Sequence, residues 1–328
     1  MKYRKFSDLG WNVSEVGLGC WQIGWSWGDI VSERDARELL KKAVDKGINF
    51  FDTSDTYGDG RSEQFLAELI KSTSEKIFIT TKVGRRIRGT SYSKGYKQEH
   101  MEEFVDRSLI NLGIDCIDLL QLHCPPSEIC SKKETYEMMD EIVKKGKIAY
   151  YGVTVHKLSD AMEAIQFPNV KSIQIVFNIF RQKPAEAFLK EAKKRNVGII
   201  VRGPLASGLL TGKINKETKF TENDHRNYNI NGEFFDVGDT FSGVNFEKGL
   251  EAVGKLKHLL PDNFSLTDLA LKWILMHDEV SVVIPGATNK SQVQMNTQAT
   301  DLEDISSLLP KINSIYDELI KPDVHNHW

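Results

Sequence analysis

Short apolar runs alternate with helical patterns along most of this 328-residue chain. The runs are rich in β-branched and aromatic residues, which is typical of parallel strands that are buried on both faces. Eight such runs occur, at 16–21, 48–54, 76–83, 115–123, 148–155, 172–178, 197–205 and 280–287. Helical patterns lie between or after them, at about 33–46, 62–71, 97–112, 132–145, 158–166, 184–195, 264–277 and 290–299. This alternation predicts an α/β protein with a parallel sheet.

The first helical segment, 33–46, carries a single apolar stripe and recognisable end signals. Its stripe has the i, i+3, i+4, i+7 spacing of a helix that packs on a core, at Ala36, Leu39, Leu40 and Ala43. Ser32 and Asp35 predict its start as a capping pair, and Gly47 predicts its end.

A parallel sheet with this many strands is either doubly wound and open or closed into a barrel. An open dinucleotide-binding sheet carries GxGxxG after its first strand. Gly17 and Gly19 fit that pattern, but Gln22 stands where the third glycine is needed. The sequence therefore favours a closed (β/α)8 barrel, the TIM-barrel fold.

The remaining segments fit around one such barrel, so we expect residues 1–328 to form a single domain. Residues 1–15 predict a hairpin, with its turn at Leu9-Gly10, that caps the N-terminal end of the barrel. Residues 206–245 form a long polar loop, and residues 301–328 provide an extra C-terminal helix and a tail. A loop of that length in a compact domain usually has a functional role or is mobile.

Composition and charge narrow the class of function. With a net charge of −3, the chain lacks the concentrated basic charge that nucleic-acid and anionic-membrane binding require. No apolar run approaches the roughly 20 residues of a membrane span, and the N-terminus does not resemble a signal peptide. The four cysteines form no CxxC pair, which favours a reduced, cytoplasmic compartment. Cys124 with Cys130, or His325 with His327, would be weak metal sites, and we predict no metal.

Four polar residues stand at the ends of predicted strands, where the functional residues of barrels lie. They are Asp52, Tyr57, Lys82 and His123. One explanation is a buried Asp–Lys ion pair that stabilises the barrel, with the other two residues filling space. The other is catalysis: an adjacent ammonium lowers the pKa of a tyrosine, which then donates a proton to a developing alkoxide. The shared layer of all four residues favours catalysis.

Four segments are similar to signatures of the aldo-keto reductase family. They are 48–69, which contains FDTSDTYG, then TTKVG at 80–84, DLLQLHCP at 118–125 and IPGATNKSQVQMN at 284–296. The resemblance implies a TIM-barrel oxidoreductase that uses NADPH, without a metal, to reduce an aldehyde or ketone, sugar-like ones included, to an alcohol. It makes Tyr57 the proton donor, Lys82 and Asp52 the residues that tune its pKa, and His123 the residue that orients the carbonyl.

The same resemblance implies a set of cofactor contacts. Gln174 would hold the nicotinamide carboxamide, with Thr154 nearby, and Arg202 would stack on the ring where the family often has an aromatic residue. Residues 203–213 resemble the loop around the pyrophosphate, and residues 286–296 resemble the adenosine-phosphate site. The remaining expected contacts are Cys20, Trp21, Gly203, Pro204, Leu205, Ser207, Gly208, Lys213, Gly286, Thr288, Lys290, Gln292 and Asn296. We expect NADP(H), with NAD(H) not excluded because Gln292 replaces a frequent arginine.

The natural substrate and the oligomeric state are left open by the sequence. Trp21, Trp25 and Trp27 are expected to wall a pocket for a small carbonyl substrate, together with Tyr57 and His123. The basic loop 84–97 either faces an anionic substrate or is simply solvated. The main alternative function is a regulatory or sensor subunit that binds the cofactor with little turnover, because some similar barrels serve ion channels.

Overall fold

The computed structural model describes residues 1–24, 30–86 and 92–328. An antiparallel hairpin, β1 (Tyr3–Phe6) and β2 (Trp11–Ser14), precedes the main sheet. Within the described ranges, eight parallel strands follow in consecutive order, each paired with the next along the chain. They are β3 (Leu18–Gly19), β4 (Phe50–Asp52), β5 (Phe78–Val83), β6 (Ile117–His123), β7 (Ile148–Thr154), β8 (Val170–Val176), β9 (Gly198–Arg202) and β10 (Val280–Val283).

The sheet is nearly closed into a barrel. Isolated parallel bridges join the first and last strand regions, from Val16 to Val283 and from Gly19 to Gly286. The predicted (β/α)8 architecture is therefore confirmed, with strands shorter than the apolar runs suggested. Parallel pairing places Asp52 beside Thr80 and His123 beside Thr154, so the carboxyl ends of the strands form one rim.

Helices of the described segments surround this sheet. They are α1 (Trp21–Gly24), α2 (Glu33–Asp45), α3 (Arg61–Ser72), α4 (Gln98–Leu112), α5 (Ser127–Cys130), α6 (Lys133–Lys144), α7 (Leu158–Ala164), α8 (Phe188–Lys194), α9 (His225–Tyr228), α10 (Phe246–Lys257), α11 (Leu266–Leu275), α12 (Lys290–Gln298), α13 (Leu309–Ile315) and α14 (Lys321–Val324). Helix α2 begins as predicted, with the Ser32 hydroxyl accepting from the Asp35 amide. Its apolar stripe is buried, and Gly47 follows it with φ of 83°.

The hairpin closes the N-terminal end of the barrel, as predicted. Phe6 and Val13 pack in a small apolar cluster with residues of the barrel strands, including Phe50 and Phe78. The Arg4 guanidinium donates to the backbone carbonyls of Leu275, His277 and Val280.

Two segments differ from the sequence-based expectation. Helix α10 was not predicted; Asn245 caps it, and its buried face includes Val253 and Leu256. The single helix expected from about 301 is instead divided. Helix α13 starts next to Pro310, whose fixed φ suits the first turn of a helix, and a π-helical turn at Tyr316–Ile320 separates it from α14.

No helix of the described segments combines the length and the apolar character that crossing a membrane requires.

Candidate active site

Three of the four predicted catalytic residues meet directly at the carboxyl-terminal rim of the barrel. The Lys82 ammonium, on β5, lies 2.5 Å from a carboxylate oxygen of Asp52, the last residue of β4. It also donates to the Thr53 carbonyl at 2.7 Å and to the Tyr57 hydroxyl at 3.3 Å. Because Lys82 and Asp52 are almost fully buried, each depends on the other to offset the cost of desolvation.

The loop that carries Tyr57 is fixed by a glycine. Gly58 has φ of 63°, and a Cβ there would lie 1.7 Å from the Gly24 carbonyl oxygen. A larger residue would therefore push this loop away from α1 and move the Tyr57 phenol relative to Lys82.

Burial and charge at this rim determine the protonation states of the four predicted catalytic residues, called the tetrad below. Burial lowers the pKa of Lys82, but the Asp52 carboxylate and Tyr57 outweigh it, so the net change is upward. Burial raises the pKa of Tyr57 and outweighs the Lys82 ammonium. The adjacent lysine does lower this pKa, but the predicted net fall is wrong, because desolvation dominates. The phenol accordingly carries its proton at neutral pH.

His123 completes the rim and is neutral. Its ring lies edge-on to that of Tyr57, with 6.1 Å between centroids. Burial, followed by the field of nearby cations, lowers its pKa well below the usual value. Nδ1 lies 3.1 Å from the Ser54 hydroxyl, so Nε2 is the nitrogen left for a ligand at the mouth.

Beneath the tetrad, side-chain amides bind the second oxygen of Asp52. Gln174 donates to it at 2.7 Å, and Gln121 approaches it at 3.4 Å. Gln121 also donates to Thr80 at 2.9 Å and accepts from Thr154 at 3.2 Å. Gln174 and Thr154 thus lie in the network that holds Asp52. Gln121 was missed in the sequence, although a glutamine within an apolar strand is a recognisable signal.

Arg202, at the end of β9, is held at the mouth by the long loop. It forms an ion pair with Asp239 and donates to the Val155 carbonyl at 3.1 Å. The same guanidinium lies 3.1 Å from Nδ1 of His156. Burial lowers the pKa of Arg202, but the Asp239 carboxylate more than offsets this and raises it. Asp239 could not be identified as a site residue from the sequence, because it lies in a polar loop among many similar residues.

Comparison with known proteins identifies the family of this chain. The model of the aldo/keto reductase family matches residues 15–316. The chain belongs to this family. It is 30% identical over 320 residues to the protein named aldo-keto reductase YhdN from Bacillus subtilis (strain 168), with 94% of each chain covered. It also resembles the solved glycerol dehydrogenase AKR11B4 from Gluconobacter oxydans, with a TM-score of 0.79, 25% identity and coverage of 100% and 97%.

The chain is therefore an NAD(P)H-dependent oxidoreductase, and the enzymes of this family act on small-molecule carbonyl substrates. A protein named for a different role is also similar to this chain. The probable voltage-gated potassium channel subunit beta of Arabidopsis thaliana is 29% identical over 320 residues, with 92% of each chain covered.

The described residues leave two buried polar atoms without partners at the rim where we expect the nicotinamide cofactor. Nε of Arg202 and Oε1 of Gln22 are buried without a hydrogen-bond partner in the described part of the chain. Gln22 lies against Gly286, since a Cβ at that glycine would come within 2.2 Å of its amide. A dinucleotide offers both donors and acceptors, so a donor and an acceptor left unpaired at this rim fit such a group.

The turn after β9 has an unusual backbone. Ala206, Ser207 and Gly208 are successive residues with φ of 46°, 53° and 100°. The Ser207 hydroxyl donates to the Asp239 carbonyl and accepts from the Phe241 amide, which connects the turn to the long loop. The other expected pyrophosphate contacts lie in or beside this turn; they are Gly203, Pro204, Leu205 and Lys213.

The expected adenosine-phosphate residues lie at the start of α12 and are engaged with neighbours. The Lys290 ammonium, on an exposed side chain, lies 2.6 Å from the Glu38 carboxylate of α2. The side-chain oxygen of Gln292 accepts from the amide of Thr288 at 2.6 Å. Asn296 donates to the Gly286 carbonyl at 3.3 Å.

The remaining expected contacts follow β3. The Cys20 side chain is fully buried, with its sulfur 3.6 Å from the Leu18 carbonyl oxygen, and its contact with the cofactor stays a prediction. Trp21 begins α1 at the rim, with its ring edge-on to His225 at 5.3 Å. Trp25 and Trp27 lie outside the described residues.

Proposed function

We propose that this oxidoreductase uses NADPH to reduce an aldehyde or ketone, sugar-like ones included, to an alcohol, with Tyr57 as the proton donor. The observation that carries the proposal is the position of the Lys82 ammonium, which bonds both to Asp52 and to the Tyr57 hydroxyl. A purely structural ion pair would not need the phenol at its free end.

The four residues divide the work of reduction. When bound, the reduced nicotinamide supplies a hydride for the carbonyl carbon. Tyr57 gives its phenolic proton to the carbonyl oxygen as negative charge develops there. The Lys82 ammonium, 3.3 Å from that hydroxyl, stabilises the phenolate that remains, and Asp52 keeps the ammonium in place. His123 polarises the carbonyl with a hydrogen bond from its free nitrogen.

The rim residues would hold the cofactor in three zones. Gln174, Thr154 and Arg202 would face the nicotinamide, and residues 203–213 would surround the pyrophosphate. The adenosine end would lie at Gly286 and the start of α12. A basic Lys290 at a helix N-terminus supports binding of a 2′-phosphate and hence NADPH. Trp21 would wall the substrate pocket beside Tyr57 and His123.

The fold around this site supports one catalytic domain over residues 1–328, rather than a barrel with a separate unit. A single buried apolar cluster extends from Val16 to Val324 and includes barrel, long-loop and C-terminal residues.

A second candidate is a cofactor-binding regulatory subunit, which the similarity to the plant potassium channel subunit favours. The two functions differ in steady-state turnover. Purified protein is mixed with NADPH and a panel of aldehydes and ketones, and the nicotinamide absorbance is followed. We expect continuous loss of absorbance over many turnovers. Tight cofactor binding without multiple turnovers on any substrate of the panel would support the regulatory subunit instead.

A further inference from the structure

A buried chain of polar groups extends from the inner nitrogen of His123 into the protein. The Ser54 hydroxyl lies 3.1 Å from Nδ1 of His123 and 3.2 Å from a carboxyl oxygen of Asp55. Ser54 and Asp55 are completely buried, directly after β4. Neither was singled out in the sequence, although both stand within the FDTSDTYG segment that carries Asp52 and Tyr57.

The Ser54 hydroxyl has one proton and more acceptors than it can serve. The Lys82 carbonyl lies 3.2 Å away and the Thr56 hydroxyl 3.0 Å away, in addition to His123 and Asp55. The Thr56 amide already donates to Ser54 at 3.3 Å. Which acceptor receives the Ser54 hydroxyl proton therefore depends on the protonation of the neighbouring groups.

Asp55 is the neighbour whose protonation can change. Its second carboxyl oxygen is buried without a hydrogen-bond partner among the residues described. Burial, followed by the Glu63 carboxylate, raises its pKa to about 8, against the opposing influence of Arg86 and Ser54. The charged or titratable groups that interact with Asp55 are Glu63 on α3, Arg86 after β5 and Tyr96 before α4. Those that act on the adjacent His123 are Arg85, Lys82, Arg202 and His156.

We propose that Ser54 and Asp55 are positioning residues that determine which nitrogen of the neutral His123 carries the proton. The inference rests on the proposed carbonyl reduction, because it assigns the direction of the hydrogen bond that His123 makes to the substrate oxygen.

The two states of the chain differ by one proton. With Asp55 protonated, its hydroxyl donates to Ser54, Ser54 donates to Nδ1, and Nε2–H of His123 donates to a carbonyl oxygen. With Asp55 ionised, its proton is released to solvent and Ser54 donates to the carboxylate. The imidazole then carries its single proton on Nδ1, donates to Ser54, and presents a bare Nε2. The first state suits reduction, and the second suits acceptance of a hydrogen bond from an alcohol.

The pH dependence of the reaction in both directions tests this inference. We measure kcat/KM of the holoenzyme for carbonyl reduction and for alcohol oxidation, in the wild type, Ser54→Ala, Asp55→Asn and the control Asp45→Asn. Asp45 is an exposed carboxylate at the end of α2. For the wild type we expect reduction to decline through a titration near pH 8, the pKa of Asp55. The Tyr57 titration lies above its ordinary value of about 10 and is separate.

The variants should change this profile selectively. Asp55→Asn cannot ionise and should lose the titration, while Asp45→Asn keeps it. Ser54→Ala should lower kcat/KM for reduction about tenfold, the effect of one lost orienting hydrogen bond, and should also lose the titration. Ser54→Thr retains a hydroxyl and should restore it.

A spectroscopic readout covers the case in which Asp55→Asn does not fold. In protein with 15N-labelled histidine, the proton of His123 should move from Nε2 to Nδ1 as the pH rises through the same titration, and Ser54→Ala should abolish the movement. A His123 proton that stays on one nitrogen, with wild-type profiles in Ser54→Ala, would overturn the inference. If Tyr57→Phe still loses reduction in that case, the proposed function stands and only the positioning role fails.

Discussion

At the scale of single residues, burial sets the chemistry of this site more strongly than pairwise attraction does. Tyr57 keeps its proton although an ammonium lies 3.3 Å from its hydroxyl. Desolvation destabilises the phenolate more than the Lys82 ammonium stabilises it. A bound substrate on which negative charge develops takes up that proton. The same desolvation keeps His123 neutral, so that this residue acts through hydrogen bonding.

Asp55 makes the stability of the protein depend on pH. Its pKa of about 8 in the fold exceeds the ordinary value near 4, so the folded chain holds a proton that the unfolded chain releases between these values. The contribution of Asp55 to the free energy of unfolding therefore falls as pH rises from about 4 to about 8. Urea unfolding of wild type and Asp55→Asn at the two ends of this window measures the difference, which we expect to be smaller in the variant. An equal change in both proteins, and in the control Asp45→Asn, would show that Asp55 ionises normally.

At the scale of elements, the long loop and β9 meet at the place proposed for the nicotinamide. The ion pair between Asp239 and Arg202 holds the guanidinium across the mouth of the barrel. Residues 206–245 therefore act on the site through a specific contact, although most of the segment has little regular structure.

Removal of the Arg202 guanidinium should affect the cofactor more than the substrate. In Arg202→Ala we expect an NADPH dissociation constant about tenfold higher, from the loss of a planar cation that packs on the ring, with the order of preference among aldehydes unchanged. Titration of tryptophan fluorescence measures binding. Arg195→Ala, an exposed arginine paired with Glu191, is the control. Identical dissociation constants for Arg202→Ala and the wild type would contradict the stacking role.

The contact between α2 and α12 bears on cofactor preference. Glu38 places a carboxylate 2.6 Å from the Lys290 ammonium, where a 2′-phosphate would have to compete for the same cation. We expect Glu38→Gln to tighten NADPH binding by about threefold and to leave NADH unchanged, and Lys290→Ala to weaken NADPH selectively. Parallel titrations with both cofactors test this. Equal shifts for NADPH and NADH would indicate that this pair lies away from the phosphate.

At the scale of the whole molecule, the structural features that depend on local sequence pattern could be predicted from the sequence. The alternation of apolar runs and helical stripes is repeated along the chain, so the barrel, its hairpin cap and the strand-end positions of Asp52, Lys82 and His123 followed from it. The roles of Ser54 and Asp239 depend on partners distant in sequence, so no local pattern predicts them.

The direct test of the account is the reduction rate of Tyr57→Phe, which removes one hydroxyl and keeps the ring. With saturating NADPH, we compare kcat for an aldehyde in the wild type, in Tyr57→Phe and in the remote control Tyr3→Phe, whose hydroxyl donates to the Gly47 carbonyl. We expect a loss of about 10²–10⁴-fold for Tyr57→Phe, with NADPH affinity retained and the control unaffected. A Tyr57→Phe enzyme that reduces aldehydes at the wild-type rate would contradict it.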